Sequence, residues 1–168
     1  MKILGASDDN YVMILGPNAT SLFQLLACKY SSSDFLSEGD EIVIAEENHL
    51  ANVDPWLKLA EMRQMKVKWW SCAKKKSELD SGNGILSTDL LQLVTARTRI
   101  ISISHSSNVL GMVIDIKRIC AEVKKKYPKL HVIVDGVASV PHHPAQLSYS
   151  EVDWYVVSGH KLFGPHYR

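Results

Sequence analysis

Cysteine, net charge and long apolar runs are all scarce in this chain of 168 residues. Its three cysteines, Cys28, Cys72 and Cys120, form an odd and widely spaced set, which argues against a disulfide framework and favours a reducing compartment. No stretch reaches the roughly 18 apolar residues of a membrane-spanning helix, and the apolar run near the N-terminus is too short for a signal peptide. We therefore expect a cytoplasmic protein that has no membrane span.

The nearly neutral charge of the chain argues against two classes of partner, nucleic acids and anionic membranes. The formal net charge is +1, which gives no electrostatic footprint for nucleic acid or for an anionic membrane. Two lysine runs, 74–76 and 124–126, are interpreted as solvated faces rather than phosphate-binding patches. The length suits one domain with a respectable core, and a content of 46% hydrophobic and 22% charged residues is typical of a globular chain.

Strand-like apolar runs alternate with segments of helical spacing along the chain. The runs lie at 11–15, 41–45, 67–71, 99–104, 131–135 and 154–157, and helical patterns begin near Leu22, Pro55, Leu90 and Ile116. Alternation of this kind with short connections predicts a mainly parallel sheet covered by helices on both faces. The expected fold class is therefore α/β, as a three-layer α/β/α sandwich.

A lysine lies just beyond the last apolar run, in a turn that also carries Ser158 and His160. Open α/β sheets place ligands outside the carboxyl ends of their strands, which is where this position would fall. A partly desolvated lysine amine can act as a nucleophile toward a carbonyl. The alternative for Lys161 alone is an ordinary surface lysine in a strand–helix loop.

Polar residues follow other strands as well. The turn 16–21 feeds Asn, Thr and Ser into a helix start, which suits either anion binding or simple N-capping. Asp135 directly follows an apolar run, and its desolvation would cost several kcal/mol without a partner such as a helix N-terminus or an arginine. His142 and His143 are adjacent, but no second ligand pair at a recognisable spacing accompanies them, so we expect no metal site.

The segment Ser158-Gly159-His160-Lys161, followed by Phe-Gly-Pro, resembles the pyridoxal-phosphate lysine motif of class V aminotransferases, a family that includes cysteine desulfurases and selenocysteine lyases. Four further segments follow the order of the family: the phosphate-binding turn at 19–20, a His-x-Ala-Asn segment at 49–52, a His-x-Ser-Asn-x-x-Gly segment at 105–111 and Val-Asp-Gly at 134–136. The resemblance covers about residues 11–165. It implies the aspartate-aminotransferase type of fold, which has a large α/β domain and a smaller C-terminal domain.

This resemblance implies pyridoxal 5'-phosphate as the cofactor, an amino-acid substrate and a homodimer. It further implies that Lys161 forms the Schiff base, that His49 stacks on the pyridine ring, that Asp135 pairs with the ring nitrogen and that Asn108 contacts the phenolic oxygen. Lys161 and His49 are the predicted catalytic residues. The predicted cofactor-binding residues are Ala19, Thr20, His49, Asn108, Asp135, Ser158, His160 and Lys161. His105 is interpreted as support.

Two departures from the family pattern shape the functional hypothesis. Ala138 stands where desulfurases typically carry a glutamine, which favours a desulfurase-like side branch. No segment matches the seventh strand or the C-terminal domain, which supplies the arginine that binds the substrate carboxylate. We therefore expect residues 1–168 to form one partial large domain. An enzyme of the desulfurase-like branch, or a fragment of one, is the first hypothesis; a non-catalytic remnant that keeps the cofactor cradle is the alternative.

Overall fold

A computed structural model describes residues 4–6, 10–71 and 88–162 of the chain. The helices are α1 (Ala19–Ser31), α2 (Asp54–Met62), α3 (Thr88–Leu93) and α4 (Ile116–Lys126), and the strands are β1 (Glu41–Ala45), β2 (Lys66–Trp70), β3 (Thr98–Ser104), β4 (His131–Asp135) and β5 (Trp154–Val156). Short 3-10 helices cover Leu50–Asn52, Leu147–Tyr149 and Gly159–Leu162. The five strands form one sheet in the order β2-β1-β3-β4-β5, and every neighbouring pair is parallel.

The alternation of side chains along the strands divides the core into two layers. In β1, Ile42 and Ile44 pack in a cluster with residues of α1 and α2. The intervening Val43 and Ala45 pack on the opposite face, in a cluster with residues of α3 and α4. Successive side chains of a strand point to opposite faces, so one apolar run fills both layers. The α/β/α sandwich expected from the sequence is thereby confirmed.

The helices also pack apolar side chains against the sheet. In α4, Ile119, Cys120 and Val123 are fully buried against the sheet, which confirms the apolar stripe expected there. The helix begins at its predicted cap, because the Asp115 carboxylate accepts a hydrogen bond of 3.0 Å from the Arg118 N–H. In the described residues, no helix is long and apolar enough to cross a bilayer.

The strand order fixes where a ligand site can form. The chain moves from β1 outward to β2 and then returns to add β3, β4 and β5 on the other side of β1. The boundary between β1 and β3 is therefore a topological switch point, where the connections leave a crevice at the carboxyl ends of the strands. Residues that directly follow β1, β3, β4 and β5 meet at this edge.

The predicted first strand at residues 11–15 is wrong. This segment joins no sheet in the described part of the chain, and Val12 and Leu15 are 88% and 86% exposed. Apolar composition alone does not make a strand, since a strand also requires a neighbour for its backbone groups. Tyr11 instead donates a hydrogen bond of 3.0 Å to the Leu147 carbonyl.

The apolar run at 67–71 carries two tryptophans, which the sequence predicts to be core residues, and this prediction is half right. Trp70 is 2% exposed, whereas Trp69 is 44% exposed. The two rings point to opposite faces of an edge strand, and one of those faces is poorly covered. The sequence also predicts a loop at 74–84 and a helix cap at Ser87 or Thr88. The loop and Ser87 lie outside the described residues, and Thr88 is the first residue of α3.

Candidate functional site

A cavity of about 230 Å³ opens at the carboxyl edge of the sheet, beside the switch point. All eight residues predicted from the sequence to bind a cofactor line it: Ala19, Thr20, His49, Asn108, Asp135, Ser158, His160 and Lys161. They come from four separate stretches of sequence and from the first turn of α1. The structure thus brings the predicted residues together, while their individual roles stay predictions.

One wall of the cavity is the beginning of α1, where Ala19 and Thr20 form the first turn. Asn18 caps the helix, because its Oδ1 accepts a hydrogen bond of 2.8 Å from the Ser21 N–H. Capping leaves other first-turn N–H groups without a partner inside the helix, and the helix dipole adds partial positive charge there. With the Thr20 side chain at the cavity wall, this end of the cavity suits an anion.

The turn after β5 forms a second wall and carries Ser158, His160 and Lys161. The Ser158 hydroxyl oxygen lies 2.5 Å from His160 Nδ1, so the two side chains orient each other. The Lys161 N–H donates to the Ser158 carbonyl at 3.2 Å, which closes a short 3-10 turn over Gly159–Leu162. Ser158 is buried, whereas His160 and Lys161 are exposed on the cavity side of that turn.

Asp135 ends β4 and forms the floor of the cavity, where it is 7% exposed. Its Oδ1 accepts a hydrogen bond of 3.0 Å from the Val137 N–H. Burial raises the pKa of this carboxyl above its usual value, and the Val137 hydrogen bond and the charges of His49 and Lys161 oppose that rise. Among the described residues, the carboxylate pairs with neither an arginine nor a helix N-terminus. A desolvated carboxylate therefore faces the cavity with room for a cationic or N–H-bearing ligand.

His49 follows β1 and stands at the mouth of the cavity. Its Nδ1 accepts a hydrogen bond of 3.1 Å from the Ala51 N–H, which makes it the cap of the 3-10 helix Leu50–Asn52. Since Nδ1 is an acceptor here, a neutral imidazole carries its proton on Nε2. The ring is exposed and held in one orientation, as a stacking surface requires.

Asn108 follows β3 on a compact turn. The Ser107 hydroxyl accepts hydrogen bonds from the N–H groups of Val109 and Leu110, at 3.3 and 3.1 Å. Gly111 closes the turn with a φ of 68°, a conformation that glycine adopts readily. The buried Ser107 side chain thus fixes the turn that presents the exposed Asn108 to the cavity.

Several lining residues were not identified from the sequence: Asn18, Ala51, Ser104, Ser106, Val137 and Ala138. Ser104 and Ser106 could have been found, since side chains two positions apart at the end of a strand share one face. Neither His142 nor His143 lines the cavity. Within residues 4–6, 10–71 and 88–162, no three histidine, cysteine or acidic side chains come together as metal ligands would.

Comparison with known proteins gives a consistent result. The family described as "Aminotransferase class-V" matches residues 1–166. Aminotransferase-like protein FGM3 of Gibberella zeae is 34% identical over 166 residues, which are 98% of this chain and 38% of that protein. The crystal structure of the cysteine desulfurase CsdA from Escherichia coli superimposes with a TM-score of 0.81 at 31% identity, over 98% of this chain and 38% of CsdA.

A third similar protein is C-DES, with a TM-score of 0.73 at 26% identity over 88% of this chain and 37% of that chain. One of its structures has glycine covalently linked to the PLP cofactor, and another, described as that of a cystine C-S lyase, holds the reaction product cysteine persulfide. The chain described here spans less than two fifths of the length of all three proteins. On the family match over residues 1–166 and these likenesses, the chain belongs to the class-V aminotransferase family.

Proposed function

We propose that this chain holds pyridoxal 5'-phosphate in the cavity at the carboxyl edge of the sheet and serves a pyridoxal-phosphate enzyme that acts on an amino acid. One observation carries the proposal: a buried carboxylate, a lysine and a helix N-terminus line the same cavity. C-DES, which has a related fold, binds this cofactor, and that likeness supports the assignment.

The donor set fits the chemistry of the proposed cofactor. The phosphate would lie against the first turn of α1, where Thr20 and the Ser158–His160 pair offer hydrogen bonds. The pyridine nitrogen would face Asp135, whose raised pKa is the mark of a desolvated carboxylate that lacks a cationic partner. The exposed imidazole of His49 would cover one face of the ring.

Each residue then has a distinct task. The cofactor, when bound, supplies an electron sink for cleavage of bonds at the substrate α-carbon. Lys161 would provide the amine that holds the cofactor covalently. Asp135 holds the proton on the ring nitrogen, and Asn108 donates a hydrogen bond to the phenolic oxygen. Ala138, also at the cavity wall, offers no side-chain hydrogen bond there.

Lysine attachment is tested by borohydride reduction of the cofactor-treated chain, followed by peptide mapping. We expect the adduct on Lys161. Lys58→Ala is the matched control, because Lys58 is an exposed lysine that pairs with Asp54 on α2. Lys161→Ala should abolish the adduct and Lys58→Ala should leave it unchanged. An adduct on Lys58, with Lys161 unmodified, would show that the assignment is wrong.

A turnover assay distinguishes an active enzyme from a non-catalytic remnant that only binds the cofactor. Sulfide release from cysteine, or keto-acid formation from alanine, that disappears in Lys161→Ala would establish an active enzyme. Retention of the cofactor without either product would support a cofactor-binding remnant.

We also propose that the protein forms a homodimer. Val109 and Leu110, beside the cavity-lining Asn108, are 80% and 50% exposed, and apolar side chains in such a turn suit a protein interface. Light scattering coupled to size-exclusion chromatography measures the mass directly. A monomer at micromolar concentration would contradict this part of the proposal.

A further inference from the structure

A tyrosine–histidine pair, in which the histidine is buried and the tyrosine half-buried, lies directly behind the cavity wall. His105 Nδ1 is 2.7 Å from the Tyr155 hydroxyl, and the rings meet edge to face at 80°. His105 is 7% exposed, and its two chain neighbours, Ser104 and Ser106, line the cavity. The pair therefore touches the back of the site without belonging to its surface.

The histidine ties two strand ends together through its backbone. The His105 N–H donates to the Asp135 carbonyl at 2.8 Å, and the His105 carbonyl accepts from the Ile114 N–H at 2.8 Å. The first bond joins the turn that carries Asn108 to the turn that carries Asp135. The backbone that carries the imidazole is therefore hydrogen-bonded both to the end of β4 and to the segment that closes the Asn108 turn.

The tyrosine ring packs on the residue that follows Asp135. A Cβ added to Gly136 would lie 2.2 Å from the Tyr155 Cε1 atom, so only glycine fits beneath the ring. The Gly136 N–H donates to the Val156 carbonyl at 2.8 Å, which holds the turn against β5. Burial raises the pKa of the Tyr155 phenol, and its interaction with the buried Ser139 hydroxyl opposes that rise. The ring thus contacts the turn after Asp135 at two points.

The Tyr155 phenol and the His105 imidazole are hydrogen-bond partners of each other. Burial lowers the pKa of His105 to about 4, so the ring is neutral near pH 7 and its Nδ1 can accept the phenolic hydrogen. Loss of the phenolic hydroxyl would leave a buried nitrogen without this partner, which costs more than the bond itself contributes.

We propose that Tyr155 and His105 are positioning residues, which hold the Asp135 turn and the Asn108 turn in the single arrangement that the cofactor requires. This inference rests on the proposed function for its ligand, but its structural part is measurable in the ligand-free chain.

The chain offers a matched control at the opposite end of the sheet. Tyr30 and His131 form a pair of the same kind, with the Tyr30 hydroxyl 2.6 Å from His131 Nδ1. Tyr155→Phe and Tyr30→Phe therefore each remove a phenolic hydroxyl from a histidine partner, and Tyr30→Phe also removes the acceptor of the Trp154 Nε1–H. A merely structural role predicts similar losses, whereas a positioning role predicts that only Tyr155→Phe alters the cavity.

The first measurement is hydrogen exchange of the ligand-free chain, resolved to single amides by NMR. In Tyr155→Phe we expect the Gly136 and Val137 amides to exchange about tenfold faster relative to the β1 amides, since one lost buried hydrogen bond corresponds to roughly that factor. In Tyr30→Phe this ratio should stay at the wild-type value. An unchanged ratio in Tyr155→Phe would overturn the positioning role.

The second measurement is the dissociation constant of pyridoxal 5'-phosphate, followed by its absorbance. We expect about tenfold weaker binding in Tyr155→Phe and wild-type binding in Tyr30→Phe. If Tyr155→Phe does not fold, His105→Leu replaces it as the variant that removes the hydrogen bond, and His105→Asn is its conservative control, because the carboxamide oxygen can accept the phenolic hydrogen. His105→Asn should bind within about threefold of wild type, and His105→Leu should bind about tenfold more weakly.

The outcomes distinguish this inference from the proposed function. If the wild-type chain takes up no cofactor, the proposed function is wrong, and the exchange ratio alone decides whether the pair holds the two turns. If the wild-type chain binds cofactor and Tyr155→Phe binds it equally well, the pair has no positioning role for the site.

Discussion

The two ends of the parallel sheet carry similar tyrosine–histidine pairs and use them differently. At the amino end, the Tyr30 hydroxyl bonds His131 and also accepts from Trp154 Nε1 at 2.9 Å, which joins α1 to β4 and β5. At the carboxyl end, Tyr155 bonds His105 behind the cavity. A tyrosine–histidine hydrogen bond thus joins packed elements at the amino end and lies behind the open cavity at the carboxyl end.

The carboxylates at the two ends differ more sharply. Glu41, at the amino end, accepts hydrogen bonds from Lys68, Thr95 and Thr98. Burial alone would raise its pKa, but these donors outweigh burial and hold the pKa below its usual value. Asp135, at the carboxyl end, has a raised pKa. The amino end is thus built for stability, whereas the carboxyl end keeps a desolvated charge that a ligand could neutralise.

The largest effect is expected at the amino end, at Asp153. Its carboxylate accepts from Lys124 Nζ at 2.6 Å and from the Val132 N–H at 2.7 Å, and both charged side chains are mostly buried. Asp153→Asn leaves the mostly buried Lys124 charge with the Leu130 carbonyl but without its counter-ion, and should lower the free energy of unfolding by about 3 kcal/mol. Urea denaturation measures this loss. The exposed pair of Asp54 and Lys58 is the control, and Asp54→Asn should change stability by under about 0.5 kcal/mol.

The next effect is a loss of stability in acid. The pKa of His105 is lowered to about 4 in the folded protein, against about 6.5 in the unfolded chain. The stability that neutral His105 contributes is therefore fully present above pH 6.5 and is lost as the pH falls toward 4. We expect about 2 kcal/mol of this loss between pH 7 and pH 5. His105→Asn should flatten this dependence and exposed His142→Asn should not. If the free energy of unfolding changes equally with pH in wild type and in His105→Asn, His105 is not the source of the acid instability.

A smaller effect of opposite sign is expected at Asp135. The pKa of Asp135 is raised in the folded protein above its value of about 3.9 in the unfolded chain. The contribution of Asp135 to the free energy of unfolding is therefore largest below pH 3.9 and is lost as the pH rises through the pKa of the folded state. Asp135→Asn keeps an acceptor for the Val137 N–H and removes the buried charge. It should therefore stabilise the ligand-free chain by about 1 kcal/mol at pH 7, with no gain at pH 3. Destabilisation at pH 7 would show that the carboxylate is paired after all.

The smallest effect is expected in the segment that was wrongly predicted as a strand. Val12→Thr and Leu15→Gln replace exposed side chains and should change the free energy of unfolding by under about 0.5 kcal/mol. Ile44→Thr, in the fully buried centre of β1, should cost at least about 2 kcal/mol in the same denaturation experiment. A large loss from Leu15→Gln would indicate that the segment is covered in solution.

Most of the sheet and eight of the cavity-lining residues could be predicted from the sequence, because both depend on local patterns. Strands β1 to β4 coincide with strand-like, largely apolar segments, and polar residues follow several of them. Parallel strands carry their carboxyl ends to one edge, so the sequence alone predicts that Asp135 and Lys161 lie near each other.

Other features were decided by the tertiary structure alone. Residues 11–15 have the composition of a strand but pair with no strand in the part of the chain that the structure describes. Trp69 and Trp70 differ only in which face of an edge strand they occupy. The bond between His105 and Tyr155 joins residues 50 positions apart, and no periodic pattern connects them. Local sequence determines which side chains follow a strand, whereas the packing of distant strands determines which of those side chains meet and what supports them.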